Sequence, residues 1–106
     1  MRHVELSGER EIDRFESVAA RVRRLASEAH VVVIEIGAGG RVGRHSAAIK
    51  QLFAVVRGDG WVAGADGERQ VIGAGEAVVW ERGEEHEAGS DNGLTALVIE
   101  TDALQL

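Results

Sequence analysis

The sequence predicts an all-β domain, built either as a sandwich or as a closed barrel. Runs rich in β-branched and other apolar residues recur about every ten residues along most of the chain. Glycines and Asp-Gly pairs separate these runs, and the chain has 14 glycines but no proline, so its tight turns must depend on Gly, Asp and Asn. The length of 106 residues suits one domain with one core of moderate size.

The first residues differ from the rest of the chain. Residues 1–14 are polar, and we predict an irregular N-terminal arm that packs on a partner molecule. We assign residues 15–106 to the barrel domain itself.

The stretch FESVAARVRRLASEAH is compatible with two structures. Val18, Val22 and Leu25 lie at i, i+4 and i+7, as on one face of an amphipathic helix. Ala20, Val22 and Arg24 alternate as they would in a strand. Both interpretations stay open over residues 15–26, with a slight preference for a strand because β structure is predicted for everything that follows.

The later strands are predicted from six apolar segments. We expect GAGG to end the first of them, the Asp-Gly pair in RGDGWVAG to turn the second into the third, and ADGE to form another hairpin turn. The acidic segment RGEEHEAGSDNG is predicted to be mostly a solvated turn. The six segments are HVVVIEIG, QLFAVVRG, GWVAG, RQVIG, GEAVVWE and LTALVIET.

Composition argues against several classes of function. The net charge of −6, from 18 acidic and 12 basic residues, argues against nucleic-acid binding, which requires a basic face. The lack of cysteine excludes disulfides and thiolate metal sites. The charged N-terminus lacks the apolar core of a signal peptide, and the run VVVIEI is too short to span a membrane. We therefore expect a soluble cytoplasmic protein.

Two histidines stand within regular patterns of glycine. Gly39 is followed after five residues by His45, and Gly58 closes the pattern after Gln51. This spacing resembles the first motif of the cupins, G-x5-H-x-H-x3–4-E-x6-G, with Ala47 in place of the second His and Gln51 in place of the Glu.

The second cupin motif, G-x5-P-x-G-x2-H-x3-N, is also matched. Gly75, Gly83 and His86 fit it, while Glu81 replaces the Pro and Ser90 replaces the Asn. The resemblance covers residues 30–100 and implies a single-domain cupin, a jelly-roll β-barrel that forms a homodimer.

The resemblance also implies where a metal would bind. In cupins, the two histidines of H-x-H, the Glu and the later His hold zinc, iron, manganese, nickel or copper. This chain replaces two of the four ligands, which leaves His45, Gln51 and His86, a neutral set with an amide where a carboxylate is expected. The cofactor is therefore either a divalent transition metal on these three residues or none. In the metal-free case, the three side chains would form hydrogen bonds with one another, with water or with a polar ligand.

A ligand pocket inside the barrel would take further side chains from the same strands. Phe53 alternates in phase with Gln51, so we expect it inside, with Ala77 and Val79 in the same lining. Trp61 and Trp80 could stack on a flat ligand at the barrel mouth, or could simply pack in the core. The predicted pocket comprises His45, Gln51, Phe53, Trp61, Trp80 and His86.

Two functions follow, from different classes. The first is a barrel that binds a small molecule, with or without a divalent metal, and has no clear catalytic machinery. The alternative is a metal-dependent enzyme, of the dioxygenase or isomerase type, with His45, Gln51 and His86 as ligands. The sequence identifies no catalytic residue and no substrate.

Overall fold

The computed structural model describes residues 1–3, 9–26 and 29–104, and these contain eight strands. Residues 4–8 of the predicted arm lie outside the described residues. No helix that is long and apolar enough to cross a membrane occurs in the described parts of the chain. The strands are β1 (Arg10–Glu11), β2 (Val18–Ala26), β3 (Val31–Ser46), β4 (Gln51–Ala63), β5 (Arg69–Gly73), β6 (Ala77–Trp80), β7 (Glu85–Ser90) and β8 (Leu94–Glu100).

Two long strands close the barrel. The first half of β3 pairs with β8 and its second half with β7, while β4 pairs with β8 first and then with β7. These four antiparallel strands therefore form a closed ring. β2 and β1 extend the ring beside β3, and β5 and β6 pair with β4.

The long strands change partner at glycines that adopt positive φ. Gly39 has φ 73° in β3, and Gly58 has φ 79° in β4, next to an irregularity in the pairing with β8. These backbone angles are accessible to glycine at little cost, so the strands bend there without ending. The predictions that GAGG ends a strand and that Asp59-Gly60 forms a turn are therefore wrong, because both segments continue inside strands.

The acidic segment is not mainly a solvated turn. Its residues Glu85–Ser90 form β7, which lies between β3 and β4 in the ring. His86, Ala88 and Ser90 are buried, whereas Glu85 is exposed and pairs with Arg44. The many charges of this segment predicted a solvated turn, although alternate residues of the segment form the buried face of a strand.

The N-terminal region forms a hairpin on its own barrel. β2 is a strand rather than a helix, and β1 pairs with it in the same chain. The turn between them is closed by Ser17 N, which donates to Arg14 O at 3.1 Å. Its central residues Phe15 and Glu16 have φ of 57° and 52°, a left-handed conformation that is unfavourable for both side chains.

The barrel interior follows the alternation of the strands. Gln51, Phe53 and Val55 are buried in β4, as the period of two predicts. In β6 the inward residues are Val78 and Trp80, whereas Ala77 and Val79 are exposed, so the prediction that these two line the pocket is wrong. The most completely buried side chains include Ile36, Val55 and Val98.

Candidate functional site

The two motif histidines meet inside the barrel. His45 on β3 and His86 on β7 are direct partners in the strand register. Their ring centroids are 4.4 Å apart, with the ring planes tilted by 56°. His86 is 3% exposed and His45 is half-buried, and of the two only His45 lines a cavity.

A backbone carbonyl orients each imidazole. His45 Nδ1 lies 2.7 Å from Gly43 O, and His86 Nδ1 lies 3.1 Å from Glu84 O. Because a carbonyl can only accept, Nδ1 must carry the proton in each neutral ring. The lone pair is then on Nε2, which is the atom that each ring can offer to a ligand.

The histidines belong to a column of five rings. Phe15 stacks on His45 at 3.9 Å, His86 stacks on Trp80 at 4.2 Å, and Phe53 packs against Trp80 at 5.5 Å between ring centroids. Phe15 therefore covers one face of His45, and His86 packs against the same ring at an angle. We call this set the ring column: Phe15, His45, His86, Trp80 and Phe53.

Gln51 binds a carboxylate that the sequence analysis did not identify. Its Nε2 donates to Glu100 Oε1 at 2.8 Å. An ionised carboxylate can only accept, so the amide nitrogen must face Glu100 and the amide oxygen of Gln51 is left as an acceptor. Glu100 is in phase with the buried residues Ala96 and Val98 of β8, and this alternation is the signal that could have revealed it.

His45, Gln51 and Glu100 line a cavity of about 490 Å³. This volume lies within the usual range of about 300–1,000 Å³ for small-molecule sites. The rest of the barrel wall here is apolar. It consists of Val22, Val32, Ile34, Val42 and Val98.

The N-terminal hairpin forms the opposite wall of the cavity, through residues 10–15. It lies very close to β3, since a Cβ on Gly43 would lie 1.4 Å from the carbonyl oxygen of Phe15. Only glycine allows this approach. The Arg14 guanidinium carbon lies 4.8 Å from the centroid of Phe15 and covers its ring.

The predicted pocket residues are only partly brought together. His45 and Gln51 line the cavity, while His86, Trp80 and Phe53 lie behind His45 in the ring column. Trp61 lies outside both the cavity lining and the ring column. Its ring packs against Gly89, and the Arg69 guanidinium carbon lies over it, 3.7 Å from a ring centroid.

Three positions that depart from the cupin motifs form local hydrogen bonds. Ser90, in place of Asn, donates from Oγ to Asp59 O at 2.6 Å and accepts from Gly93 N at 2.7 Å. Glu81, in place of Pro, donates its backbone N–H to Glu84 Oε1 at 3.1 Å, a bond that proline could not form. Ala47, in place of the second His, accepts from Gly83 N at 2.8 Å.

The residues present do not fit a tightly held metal ion. The described ranges contain no group of three or more His, Cys, Asp or Glu side chains placed to hold one. The Gln51 amide adds no charge, and the nearby Glu100 is engaged by Gln51. The described side chains thus provide two imidazoles tilted against each other, where zinc, iron or manganese would favour an additional anionic ligand.

A larger cleft of about 820 Å³ is lined by residues of β1, β2, β3, β4 and β8 and by the loop before β8. Two of its charged side chains form ion pairs: Arg21 pairs with Glu9, and Glu35 pairs with Arg23. The histidines and the ring column are absent from its lining. We therefore place the candidate site in the cavity beside His45.

Burial lowers the pKa of His86 below its ordinary value of 6.5, because the charged ring would lose its hydration. The hydrogen bond to the Glu84 carbonyl opposes this effect, and the neighbouring His45 adds to it. His86 is therefore held as the neutral imidazole at neutral pH.

We expect the free energy of unfolding to fall as the pH drops below 6.5. The unfolded chain then binds a proton at residue 86 that the folded chain resists, so the loss continues until the pH passes the lowered pKa of the folded state. Urea denaturation of protein dialysed against a chelator, at several pH values, measures this slope. His86→Phe keeps a ring in the column and should flatten the slope, and an unchanged slope would show that other groups cause it.

The family model of the cupin domain matches residues 30–100, which is most of the chain. The chain belongs to the cupin family. This confirms the resemblance of the motifs and the predicted jelly-roll barrel. A search of curated proteins gives no match.

Solved structures share the fold of this cupin. The polyketide cyclase RemF from Streptomyces resistomycificus is 23% identical, with a TM-score of 0.78 over 96% of this chain and 80% of that one. A predicted oxalate decarboxylase from Thermotoga maritima is 19% identical, with a TM-score of 0.69 over 79% of this chain and 88% of that one. A putative ethanolamine utilization protein from Salmonella typhimurium is 16% identical, with a TM-score of 0.74 over 89% and 78%. At these identities the likeness concerns the fold alone.

Proposed function

We propose that this cupin binds a small molecule in the cavity between the N-terminal hairpin and the barrel. The observation that supports this most directly is the cavity of about 490 Å³, whose barrel side combines apolar side chains with His45, Gln51 and Glu100. Apolar walls with a few placed polar groups are typical of small-molecule sites. The strained turn at Phe15 and Glu16 also supports the proposal, since such strain is often found at ligand sites.

Filling the cavity tests this function. Val42 lines the cavity and is 8% exposed, so Val42→Phe should occupy part of the space. A panel of small ring compounds should contain members that stabilise the unmodified protein, by about 2.7 kcal/mol at 100 times their Kd. Calorimetric titration should show that the same compounds bind Val42→Phe at least tenfold more weakly.

Val71→Phe is the matched control, because Val71 lies on β5 with 87% exposure and is absent from the cavity lining. It should bind these compounds as the unmodified protein does. Equal losses in the two variants, or no binding by any compound, would contradict the proposal.

A metal-dependent enzyme is the second candidate. The observation in its favour is that His45 and His86 are direct partners across β3 and β7, each with Nδ1 at a backbone carbonyl, whereas no third His, Cys, Asp or Glu of the described residues joins them. Elemental analysis of protein purified without added metal distinguishes the candidates. Substoichiometric metal, unchanged in His86→Ala, would rule out the metal-dependent form. A stoichiometric ion, lost in both His45→Ala and His86→Ala, would rule out a metal-free site.

We also retain the proposal of a homodimer. In the chain described here, Arg10 and Glu11 pair with β2 of the same barrel. This pairing supports an arm that closes its own cavity, so a dimer would use another surface. Sedimentation equilibrium measures the oligomeric state directly.

A further inference from the structure

On the barrel side of the cavity, the polar groups that remain free are hydrogen-bond acceptors. His45 uses its Nδ1–H on Gly43 O, which leaves Nε2 with a lone pair. Gln51 uses its amide nitrogen on Glu100, which leaves its carbonyl oxygen. Glu100 as a carboxylate has several acceptor positions, one of which is occupied by Gln51.

The charges around the cavity disfavour an anionic ligand. Among the described lining residues, Arg10 and Arg14 carry positive charge, while Glu11, Asp13 and Glu100 carry negative charge, which gives a balance of −1. Both arginines belong to the N-terminal hairpin, and Arg14 is placed over the ring of Phe15. On the barrel side the lining contains a carboxylate and no lysine or arginine.

The shape and polarity of the walls favour a ring. Branched apolar side chains of β2, β3 and β8 line the barrel side of the cavity, and the ring of Phe15 lines the hairpin side. An apolar ring fits the valine and isoleucine side chains of this wall, while the charged side chains of Arg10, Glu11, Asp13 and Arg14 lie on the hairpin side. Hydroxyl groups on its rim could donate to His45, Gln51 and Glu100.

We propose, on the basis of the binding function above, that the ligand is an uncharged ring compound with hydroxyl donors, of the phenol or enol type. The barrel side of the lining contains no lysine or arginine, and the lining as a whole lacks the excess positive charge that favours a carboxylate or a phosphate. A small dicarboxylate is therefore a poor ligand here. Specificity comes from the acceptors His45 Nε2, Gln51 Oε1 and the Glu100 carboxylate.

Three probes with the same ring test the proposal, titrated by calorimetry at pH 8. They are 2,7-dihydroxynaphthalene with two donors, 2,7-dimethoxynaphthalene with acceptors alone, and naphthalene-2,6-dicarboxylate with two negative charges. We expect the dihydroxy probe to bind at least tenfold more tightly than either of the others, since hydrogen bonds to a charged acceptor are among the stronger ones.

The variant Glu100→Gln tests whether the preference for hydroxyl donors depends on the Glu100 carboxylate. Glu100→Gln replaces an anionic acceptor with an amide that can also donate, so the dihydroxy probe should lose at least tenfold in affinity. Glu68→Gln, an exposed substitution in the turn before β5, should leave all three affinities unchanged. If Glu100→Gln does not fold, the three-probe comparison on the unmodified protein still decides the proposal.

The outcomes separate the two levels of inference. If the dimethoxy or dicarboxylate probe binds as tightly as the dihydroxy probe, or more tightly, the preference for donors is wrong although the cavity binds small molecules. If none of the three probes binds, and no compound of the ring panel does either, the binding function and the ligand class are both overturned.

Discussion

Replacing Trp80 by alanine is expected to lower the free energy of unfolding by about 3–5 kcal/mol, the usual range for truncating a large buried aromatic side chain. Trp80 is 4% exposed and contacts both Phe53 and His86 in the ring column. Its removal opens a cavity behind His86, and that imidazole loses the ring that packs on its face. Urea denaturation monitored by circular dichroism measures the effect.

Trp61→Ala is the matched control. Trp61 is half-buried, stacks with Arg69 and lies outside the candidate site. We expect a smaller loss, below about 2 kcal/mol, because less apolar surface returns to water. Trp80→Phe should recover much of the stability, since it keeps a ring against His86. Equal losses for the two alanine variants would show that the ring column contributes nothing particular to the barrel.

The fold was predictable from the sequence because its main signals are local. Alternation placed Phe53 and Gln51 on the inner face of β4, and the glycine spacing of the motifs placed His45 and His86 on facing strands. The motif glycines Gly39, Gly58, Gly75 and Gly83 all have φ between 73° and 89°. Their spacing therefore records positions where the backbone must bend, and such positions remain even where ligand residues have changed.

The strand ends were harder to predict, because glycine in a β protein occurs both in turns and at bends inside long strands. In ADGE it lies in a turn, with Gly67 at φ 75°. In GAGG and at Gly58 it allows a long strand to bend and change partner. A single sequence does not separate these cases, because the choice depends on which strands pair across the ring.

The site itself depends on contacts between distant segments, and it was only partly predictable. Glu100 reaches Gln51 across 49 positions of the chain, and Phe15 reaches His45 across 30. Neither contact belongs to a motif. The predicted arm was expected to pack on a partner, whereas residues 10–15 line the cavity of their own barrel. The sequence indicated His45 and Gln51 on the barrel side, but neither Glu100 nor the wall that covers them.

Gly43→Ala is expected to detach that wall from the barrel. The new Cβ would lie 1.4 Å from Phe15 O and 2.6 Å from its carbonyl carbon, which are backbone atoms that cannot rotate aside. The turn already holds Phe15 and Glu16 in an unfavourable conformation, so the hairpin should move before the closed ring does. We expect a loss of about 1–3 kcal/mol in the free energy of unfolding, which is typical of overpacking.

Hydrogen exchange locates this change. The amide of Ile12 donates to Ala20 O at 2.8 Å and the amide of Ser17 donates to Arg14 O, so both should exchange faster in Gly43→Ala. Amides of β4 and β8 should keep their protection. Gly73→Ala is the control, because a Cβ there meets nothing nearer than Glu76 Oε1 at 3.6 Å. A folded Gly43→Ala protein with unchanged exchange at Ile12 would mean that the barrel yields instead of the hairpin, and that the hairpin is a fixed part of the cavity.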